Sequence, residues 1–370
     1  MKFNCRKKRL YDAVTLGSRV STKKSTLDSL KSLILDVVDT KLTIYATNLE
    51  VAIKIELPIK SGEDGKIAVD AHLFNSILGT MDDKEELICK LEGNTLIISS
   101  ERGDVSMETL STEDFPLIPE VDMNVDKVQL PAVVLKEGLQ STVFACAQST
   151  IRPELSSVYI YNKDNNLYFV ATDSFRLSEY IVNVKNISDI KPILIPSTVA
   201  QNLIQVFQDI EDDVDMYIEE EQVSFVSSDI VVTSRIIDSS FPDYEKIIPK
   251  ESTVEMSMFK KDLSIALKQV QLFSDNFNQI EVGVGNDDSL HIKSTKKGSG
   301  EVKHSVPGKV INKEKQDLLL KFNYQYFNDF LSHLKSDSFG CYFSGPSKPI
   351  ILKDDSSKVK FSYLIMPMSK

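Results

Sequence analysis

The chain has 370 residues, of which 42% are hydrophobic and 26% are charged, so it is long enough for two or three domains whose cores need no disulfide support. This composition argues against a mainly disordered or fibrous protein. A formal net charge of −11 counts against a generic nucleic-acid binder, because such proteins are basic overall. No apolar stretch approaches the roughly 18 residues of a membrane span, and the start of the chain lacks the apolar centre of a signal peptide. We therefore expect an intracellular protein with no membrane partner.

The charge is unevenly distributed along the chain. Residues 1–125 contain 16 basic and 21 acidic residues, residues 126–250 contain 10 and 19, and residues 251–370 contain 17 and 14. A role on nucleic acid would need the positive charge to be concentrated on one surface.

The four cysteines, Cys5, Cys89, Cys146 and Cys341, lie far apart without a CxxC pair. This spacing excludes a zinc ribbon and favours reduced thiols over a disulfide framework.

The first predicted element is a helix over residues 8–21, because apolar or small residues recur on one helical face. The same spacing returns about 125 and 253 residues later, which indicates an internal repeat. The three sets are Leu10, Ala13, Val14 and Gly17, then Leu135, Gly138, Leu139 and Thr142, then Leu263, Ala266, Leu267 and Val270.

A strand pattern at residues 42–48 also recurs, at 167–173 and more faintly at 290–296. A second helix pattern follows each strand set, and further strands are predicted at 96–100, 223–227 and 348–352. The positions of the second helix are Phe74, Ile77, Leu78 and Met81, then Ala200, Leu203, Ile204 and Phe207, then Phe327, Phe330, Leu331 and Leu334.

The order of elements therefore predicts an α+β fold of three similar repeats, each with two helices packed on antiparallel sheets. Proline-containing segments at 115–119 and 241–249 are typical of extended linkers, because proline fixes φ and disfavours helix in the residue before it. The predicted domains are residues 1–124, 125–250 and 251–370.

Sequence motifs for catalysis are missing from this chain. There is no phosphate-binding loop and no dinucleotide fingerprint, and the four histidines stand alone. The acidic runs at 211–213 and 219–221 fit solvated turns better than a cation site. No Ser/His/Asp set can be assigned from sequence alone, so an enzyme stays unsupported. We expect no catalytic residues, no metal and no cofactor.

At this point the repeats and several short segments resemble one known family, the sliding clamps of bacteria, which are the β subunits of DNA polymerase III. The matching segments are residues 1–3, 46–50, 115–116, 171–173, 176–177, 241–244, 322–323 and 363–368. The resemblance implies a head-to-tail homodimer in which six similar domains form a ring with pseudo-sixfold symmetry. Helices would line the hole around double-stranded DNA, and sheets would form the outer wall.

The implied function is that of a non-catalytic processivity factor. It would tether the replicative polymerase, the clamp loader and repair proteins through short peptide motifs, which dock in an apolar cleft between the second and third domains. The implied location is the cytoplasm, at the nucleoid during replication. A repeat-built enzyme or a carbohydrate-binding protein with only architectural likeness to clamps is the alternative.

Three sets of residues follow from the resemblance. The implied peptide cleft contains Leu155, Thr172, Ser174, Phe175, Arg176, Leu177, Pro242, Ile247, Phe277, Asn323, Tyr326, Pro346, Met366, Pro367 and Met368. The implied DNA-contacting residues are Lys7, Lys8, Lys23, Lys24, Lys136, Arg152, Lys260, Lys261 and Lys268. The implied dimer interface contains Val105, Met107, Leu272 and Phe273.

The sequence departs from the family pattern in two of these places. Ser174 and Phe175 stand where a glycine and a histidine are common before the arginine, which leaves the peptide preference open. Pro153 and Glu154 follow Arg152 where aromatic residues are common, which weakens the expected DNA contact of that loop.

Overall fold

The computed structural model describes residues 1–22, 26–60, 62–125, 127–184, 190–208, 210–285, 287–313, 319–354 and 359–368. Within these ranges there are six α-helices, two in each predicted repeat. They are α1 (Lys7–Val20), α2 (Ala71–Gly79), α3 (Ala132–Gln140), α4 (Ser197–Val206), α5 (Lys260–Val270) and α6 (Tyr324–His333). Short 3₁₀ helices span Asp28–Lys31, Val143–Ala145, Tyr244–Ile247 and Gln271–Phe273.

The predicted helical faces are the buried faces of these helices. In α1, Leu10, Ala13, Val14 and Gly17 are all buried, and the corresponding residues of α5 are buried as well. The second helices are shorter than predicted. Helix α2 ends at Gly79, so Met81 lies beyond it, and Phe207 and Leu334 likewise follow the last residues of α4 and α6.

Two of the second helices, α2 and α6, begin at polar side chains that cap them. Asp70 accepts a hydrogen bond from the backbone of Leu73 at 2.7 Å, and Asn323 accepts one from Gln325 at 2.9 Å. Such caps satisfy backbone donors that the first turn of a helix leaves unpaired.

The chain divides into two compact units. The first contains Met1–Lys136 and Thr198–Ile236, and the second contains Glu137–Ser197 and Ile237–Lys370. The paired strands explain this division, because the sheets continue from one predicted repeat into the next. The domain boundaries at 124/125 and 250/251 therefore remain a sequence-based prediction.

The first unit contains two antiparallel sheets in its described part. The five-stranded sheet has the order β5-β1-β7-β8-β9, and the eight-stranded sheet has the order β10-β15-β16-β17-β4-β3-β2-β6, with the following bounds. They are β1 (Lys2–Arg6), β2 (Ser32–Val38), β3 (Lys41–Thr47), β4 (Val51–Pro58), β5 (Gly62–Glu63), β6 (Gly65–Asp70), β7 (Glu86–Glu92), β8 (Thr95–Ser100), β9 (Gly103–Glu108), β10 (Lys127–Pro131), β15 (Asp213–Ile218), β16 (Gln222–Ser227) and β17 (Ile230–Arg235).

The second unit is built on one twelve-stranded antiparallel sheet of order β14-β11-β12-β13-β25-β24-β23-β18-β21-β20-β19-β22. Its strands are β11 (Ser157–Lys163), β12 (Asn166–Thr172), β13 (Arg176–Asn183), β14 (Ile193–Pro196), β18 (Val254–Phe259), β19 (Gln279–Val284), β20 (Ser289–Lys296), β21 (Gly300–Lys313), β22 (Leu319–Asn323), β23 (Ser338–Phe343), β24 (Ile350–Asp354) and β25 (Lys360–Ile365). The recurring strand pattern of the sequence thus forms β3, β12 and β20.

All four cysteines are free, as their spacing predicts, and all four are buried. Burial raises the pKa of the Cys146 and Cys341 thiols to about 12, because an apolar interior disfavours the thiolate. These thiols are core side chains and not reactive groups.

Candidate functional site

The turn between β12 and β13 carries several of the predicted cleft residues. The Thr172 hydroxyl donates to the carbonyl of Arg176 at 2.6 Å and accepts from the backbone of Ser174 at 3.1 Å. Asp173 Oδ1 accepts from the backbones of Phe175 at 2.9 Å and Arg176 at 3.0 Å. Side chains that bond to the following backbone in this way fix a turn. The turn leaves the Phe175 side chain 64% exposed.

Ser174 adopts a left-handed backbone conformation within this turn, with φ at +78°. This conformation gives a physical reason for the glycine that is common here in the family, because a side chain at positive φ is strained.

The Arg176 side chain is only 11% exposed, and its guanidinium is surrounded by partners. Nε donates to Asp173 Oδ2 at 3.0 Å, a terminal nitrogen donates to the Phe144 carbonyl at 2.7 Å, and the other one pairs with Asp329. The guanidinium also lies 4.8 Å from the centre of the Tyr326 ring. Arg176 therefore holds the turn against helix α6, which carries both Tyr326 and Asp329.

The C-terminal segment lies beside the same turn. Strand β25 pairs with β13 so that Ile365 is opposite Arg176 and Leu364 is opposite Leu177. Beyond the strand, the Met366 backbone donates to the Phe175 carbonyl at 2.9 Å. The Met368 backbone donates to the carbonyl of Lys321 at 2.7 Å. The segment thus bridges the turn and β22.

These elements enclose a narrow pocket with a volume of about 10 Å³. Its lining consists of Thr172, Ser174, Arg176, Leu177, Ile247, Leu364 and Met366. Six of the seven are predicted cleft residues. Leu364 was missed, although it lies two residues before Met366 in the final strand pattern, and that spacing could have indicated it.

Ile247, which is 49% exposed, reaches the pocket from the segment that follows Phe241. This segment is anchored by Tyr244, whose hydroxyl lies 2.7 Å from Tyr161 Oη and donates to Glu179 Oε1 at 2.7 Å. Burial raises the pKa of Glu179, although the hydrogen bond from Tyr244 opposes this shift.

The remaining cleft residues have different positions in the second unit. Asn323 is the cap of α6, Tyr326 stacks on Arg176, and Leu155 is only 4% exposed in the core. Phe277 is 71% exposed and Pro346 is also exposed, whereas Pro242, Pro367 and Met368 are half-buried. None of these eight residues lines the pocket itself, and neither does Phe175.

The predicted DNA-contacting residues fall into two groups. In the first, the cation already has a protein partner. Lys7 is 2% exposed, its Nζ lies 2.6 Å from Asp83 Oδ1, and it also lies over the Tyr11 ring. We therefore remove Lys7 from the proposed DNA-contacting residues.

Three more of these cations already have a hydrogen-bond or ion-pair partner within the protein. Lys136 Nζ donates to the Gln208 carbonyl at 3.1 Å, and Lys260 Nζ donates to the Leu334 carbonyl at 2.7 Å. Arg152 Nε pairs with Glu154 at 2.9 Å, which agrees with the weakened expectation for that loop.

The second group consists of exposed lysines, Lys8 on α1 and Lys261 and Lys268 on α5. No hydrogen bond or ion pair joins them to another described residue. Lys23 and Lys24 lie outside the described residues. Arg9 and Arg19, also exposed on α1, were missed by the sequence analysis, although both follow the helical period of its polar face.

The predicted dimer-interface residues lie near unpaired strand edges. Strand β9, which contains Val105 and Met107, is the last strand of the five-stranded sheet. Met107 is 4% exposed, so it already packs inside its own sheet. Leu272 is 70% exposed, and the neighbouring Phe273 ring packs against Gly300 at the start of β21. Residues 300–307 of β21 pair with β20, and β18 pairs only with residues 308–313.

Two features are absent from the described residues. No three His, Cys, Asp or Glu side chains are grouped so that they could hold a metal ion. No helix there is both long and apolar enough to cross a membrane.

Comparison with known families gives a match along the chain. Family models of the DNA polymerase III beta subunit match residues 1–119 (N-terminal domain), 129–243 (central domain) and 245–369 (C-terminal domain). The beta sliding clamp of Staphylococcus epidermidis is 26% identical over 380 residues, which cover 100% of this chain and 99% of that protein. That of Staphylococcus aureus is 26% identical over 358 residues, 93% of each.

Solved structures give the same architecture. The DNA polymerase III beta subunit of Thermotoga maritima superimposes with a TM-score of 0.93 at 22% identity, covering 100% of this chain and 99% of that one. The sliding clamp of Bacillus subtilis gives 0.91 at 22% identity with the same coverage. The expected α+β fold of three similar repeats is confirmed.

The positive φ of Ser174 should lower the stability of the protein. We expect Ser174→Gly to raise the free energy of unfolding by up to about 1 kcal/mol, because the relief of the left-handed strain exceeds the added chain entropy of glycine. Ser174→Ala is the matched control and should bring no gain, since alanine keeps the strain. Chemical denaturation of the three proteins measures the effect, and equal stability of the two variants would contradict it.

Proposed function

The chain belongs to the DNA polymerase III beta subunit family, and we propose that it acts in the cytoplasm as a sliding clamp that encircles duplex DNA. The protein is a non-catalytic processivity factor, so we set aside the alternatives of an enzyme and a carbohydrate-binding protein. The observation that carries its partner-binding role is the pocket around the fixed guanidinium of Arg176.

A clamp stays on DNA because its closed ring is topologically linked to the duplex, and not because it has affinity for bases. When the ring is closed around duplex DNA, it can slide because it grips no sequence, and it leaves only at an end or when it opens. A polymerase bound to the ring stays at high effective concentration near the primer end, so it rebinds faster than it is lost.

The pocket provides what a short peptide needs for docking. Arg176 is held by two carboxylates and a carbonyl, so it forms a rigid floor, while Leu177, Leu364 and Met366 supply apolar walls. Because the pocket is narrow, a docking side chain must displace Met366 or Ile247, the exposed apolar residues of its rim. Methionine suits this role, since its side chain repacks at low cost.

Deletion of residues 366–370 tests this cleft. We expect the loss of a wall and of two backbone anchors to weaken a polymerase-derived clamp-binding peptide by at least about 30-fold, the scale of a lost hot spot. Strand β25 ends at Ile365, so the fold and the dimer should survive. Fluorescence anisotropy with a labelled peptide measures the affinity.

Two point variants serve as controls for the deletion. Tyr326→Ala should weaken the same peptide, because Tyr326 stacks on Arg176, whereas Lys268→Ala should leave the affinity unchanged. If the truncated protein kept its affinity with dimer and melting temperature intact, the partner site would lie elsewhere.

The proposed DNA-contacting residues are the exposed lysines of the first helices, Lys8, Lys261 and Lys268. Their positive charge can bind phosphates without reading sequence, which is what a sliding ring requires. The acidic remainder of the chain would keep DNA away from other surfaces, so a net charge of −11 is compatible with this role.

Charge reversal tests this surface. We expect the double variant Lys261→Glu with Lys268→Glu to weaken binding to primed DNA about tenfold or more, equally for unrelated sequences, with a shallower salt dependence. Lys348→Glu, an exposed lysine in a loop, is the control and should have little effect. Electrophoretic mobility shifts at several salt concentrations measure both. A tenfold preference for one sequence at fixed salt would argue against a sliding clamp.

The proposed homodimer joins the free edge of β9 in one protomer to the region of Leu272 and the edge of β21 in the other. Exposed charges at the two edges are complementary, since Asp104 and Glu108 lie on β9, and Lys296 and Lys297 lie on the β20–β21 hairpin. Unpaired edges of this kind add strands from another chain readily.

We expect Leu272→Ala combined with Phe273→Ala to give monomers, because truncating apolar anchors at an interface costs about 2 kcal/mol or more each. Ile151→Ala removes a residue that is 89% exposed elsewhere, and this variant should remain dimeric. Analytical ultracentrifugation at sub-micromolar concentration distinguishes the two, and an unchanged dimer in the double variant would refute the assignment.

A further inference from the structure

The first unit contains a second turn with the same hydrogen bonds as the one at residues 172–176. The Thr47 hydroxyl donates to the Val51 carbonyl at 3.0 Å and accepts from the backbone of Leu49 at 3.1 Å. Asn48 Oδ1 accepts from the backbones of Glu50 at 3.0 Å and Val51 at 2.9 Å. Leu49 has φ at +75°, close to the +78° of the equivalent Ser174.

The strand beside this turn also repeats the arrangement. Strand β4 pairs with β17 so that Ala52 lies opposite Thr233, as Leu177 lies opposite Leu364 in the second unit. The backbone of Arg235 donates to the Glu50 carbonyl at 3.2 Å, which corresponds to the bond from Met366 to Phe175. The first unit thus carries the framework of a docking pocket, with different side chains on it.

The space over this framework is far larger than the pocket of the second unit. A cavity of about 350 Å³ is lined by the turn, by Thr233 and Arg235, and by Leu117 of the segment that follows Phe115. It shares Ala52, Leu117 and Thr233 with a neighbouring cavity of about 760 Å³. We call the two together the linker groove. Ala52 and Thr233, which stand where the second unit has two leucines, contribute to this width.

The linker groove exposes large apolar side chains. Leu117 is 97% exposed and Leu49 is 54% exposed. A partner that buried these two apolar side chains would therefore gain binding free energy.

The charged groups that line the linker groove are mostly unpaired carboxylates. The four are Glu50, Glu113, Glu120 and Glu221. Within the described chain, their carboxylates form no ion pair and no hydrogen bond, although the charge of Glu120 acts on Lys54. The two lysines of the groove are already paired, Lys54 with Glu56 at 2.8 Å and Lys66 with Asp36 at 3.8 Å. Arg235 is then the one cation of the described lining without a partner. The groove therefore favours a basic ligand, and it repels nucleic acid.

We propose that the linker groove is a second docking surface, for a short peptide segment of a protein partner that combines leucine or phenylalanine side chains with lysine or arginine. The apolar side chains would pack on Leu49 and Leu117, and the basic ones would face the four carboxylates. Because the whole groove lies in the first unit, this site is separate from the cleft at Arg176 and does not depend on the function proposed for it.

Panning a phage-displayed library of random dodecapeptides on the full-length protein tests the proposal. We expect one class of enriched peptides to contain leucine or phenylalanine with lysine or arginine. Synthetic, labelled members of this class should lose at least tenfold in affinity in the Leu49→Asn, Leu117→Ser variant, as measured by anisotropy. Asparagine is chosen because it tolerates positive φ. Raising the salt concentration should also weaken the binding of these peptides to the unaltered protein.

Matched variants separate the linker groove from the other cleft and from a loss of folding. Leu73→Ser, at another exposed leucine, and Tyr326→Ala should both leave the affinity of these peptides unchanged. If the double variant does not fold, Glu113→Gln with Glu221→Gln provides the same test, with an expected loss of at least threefold. The proposal is overturned if no enriched peptide depends on the groove, if those that do are acidic, or if they respond only to Tyr326→Ala.

Discussion

The pairing of β25 with β13 is the constraint on which the candidate cleft depends. It places Ile365 opposite Arg176, so the chain leaves the sheet directly beside the turn at residues 172–176. The next backbone donor, at Met366, then meets the Phe175 carbonyl. Because side chains alternate across a strand, a slip of one residue would turn Leu364 away from Leu177 and remove a wall of the pocket. Register in the core therefore determines the shape of the surface.

A buried cation gives this arrangement its rigidity. A guanidinium out of water is costly unless its donors are satisfied, and Arg176 meets this requirement with Asp173, Asp329 and the Phe144 carbonyl. These partners come from the turn, from α6 and from the 3₁₀ helix after α3. Loss of any one partner would leave an uncompensated charge, so the turn and helix α6 cannot move apart freely.

Local periodicity in the sequence predicts the helices and the strand repeat, and the resemblance to a known family implies six of the seven residues that line the pocket. The sequence does not predict which cations are free. Lys7 and Lys8 are adjacent in sequence, yet Lys7 is paired with Asp83, 76 residues away, and Lys8 is exposed. Lys260 and Lys261 differ in the same manner, because Lys260 donates a hydrogen bond to the Leu334 carbonyl whereas Lys261 is exposed. Such partners are set by tertiary packing, which periodicity does not contain.

One structural device, repeated, can give surfaces with different selectivity. The turns at residues 47–51 and 172–176 share their backbone bonds and their positive φ, but they differ in their side chains and in the segments that pack over them. Where the second unit has Arg176 and Met366, the first has Val51 and Arg235, and its cavity is about 350 Å³ instead of about 10 Å³. On the proposals made above, the narrow pocket would select by shape around a neutralised cation. The wide groove, lined by unpaired carboxylates, would select by charge, so one chain could hold two partners of different chemistry without competition between them.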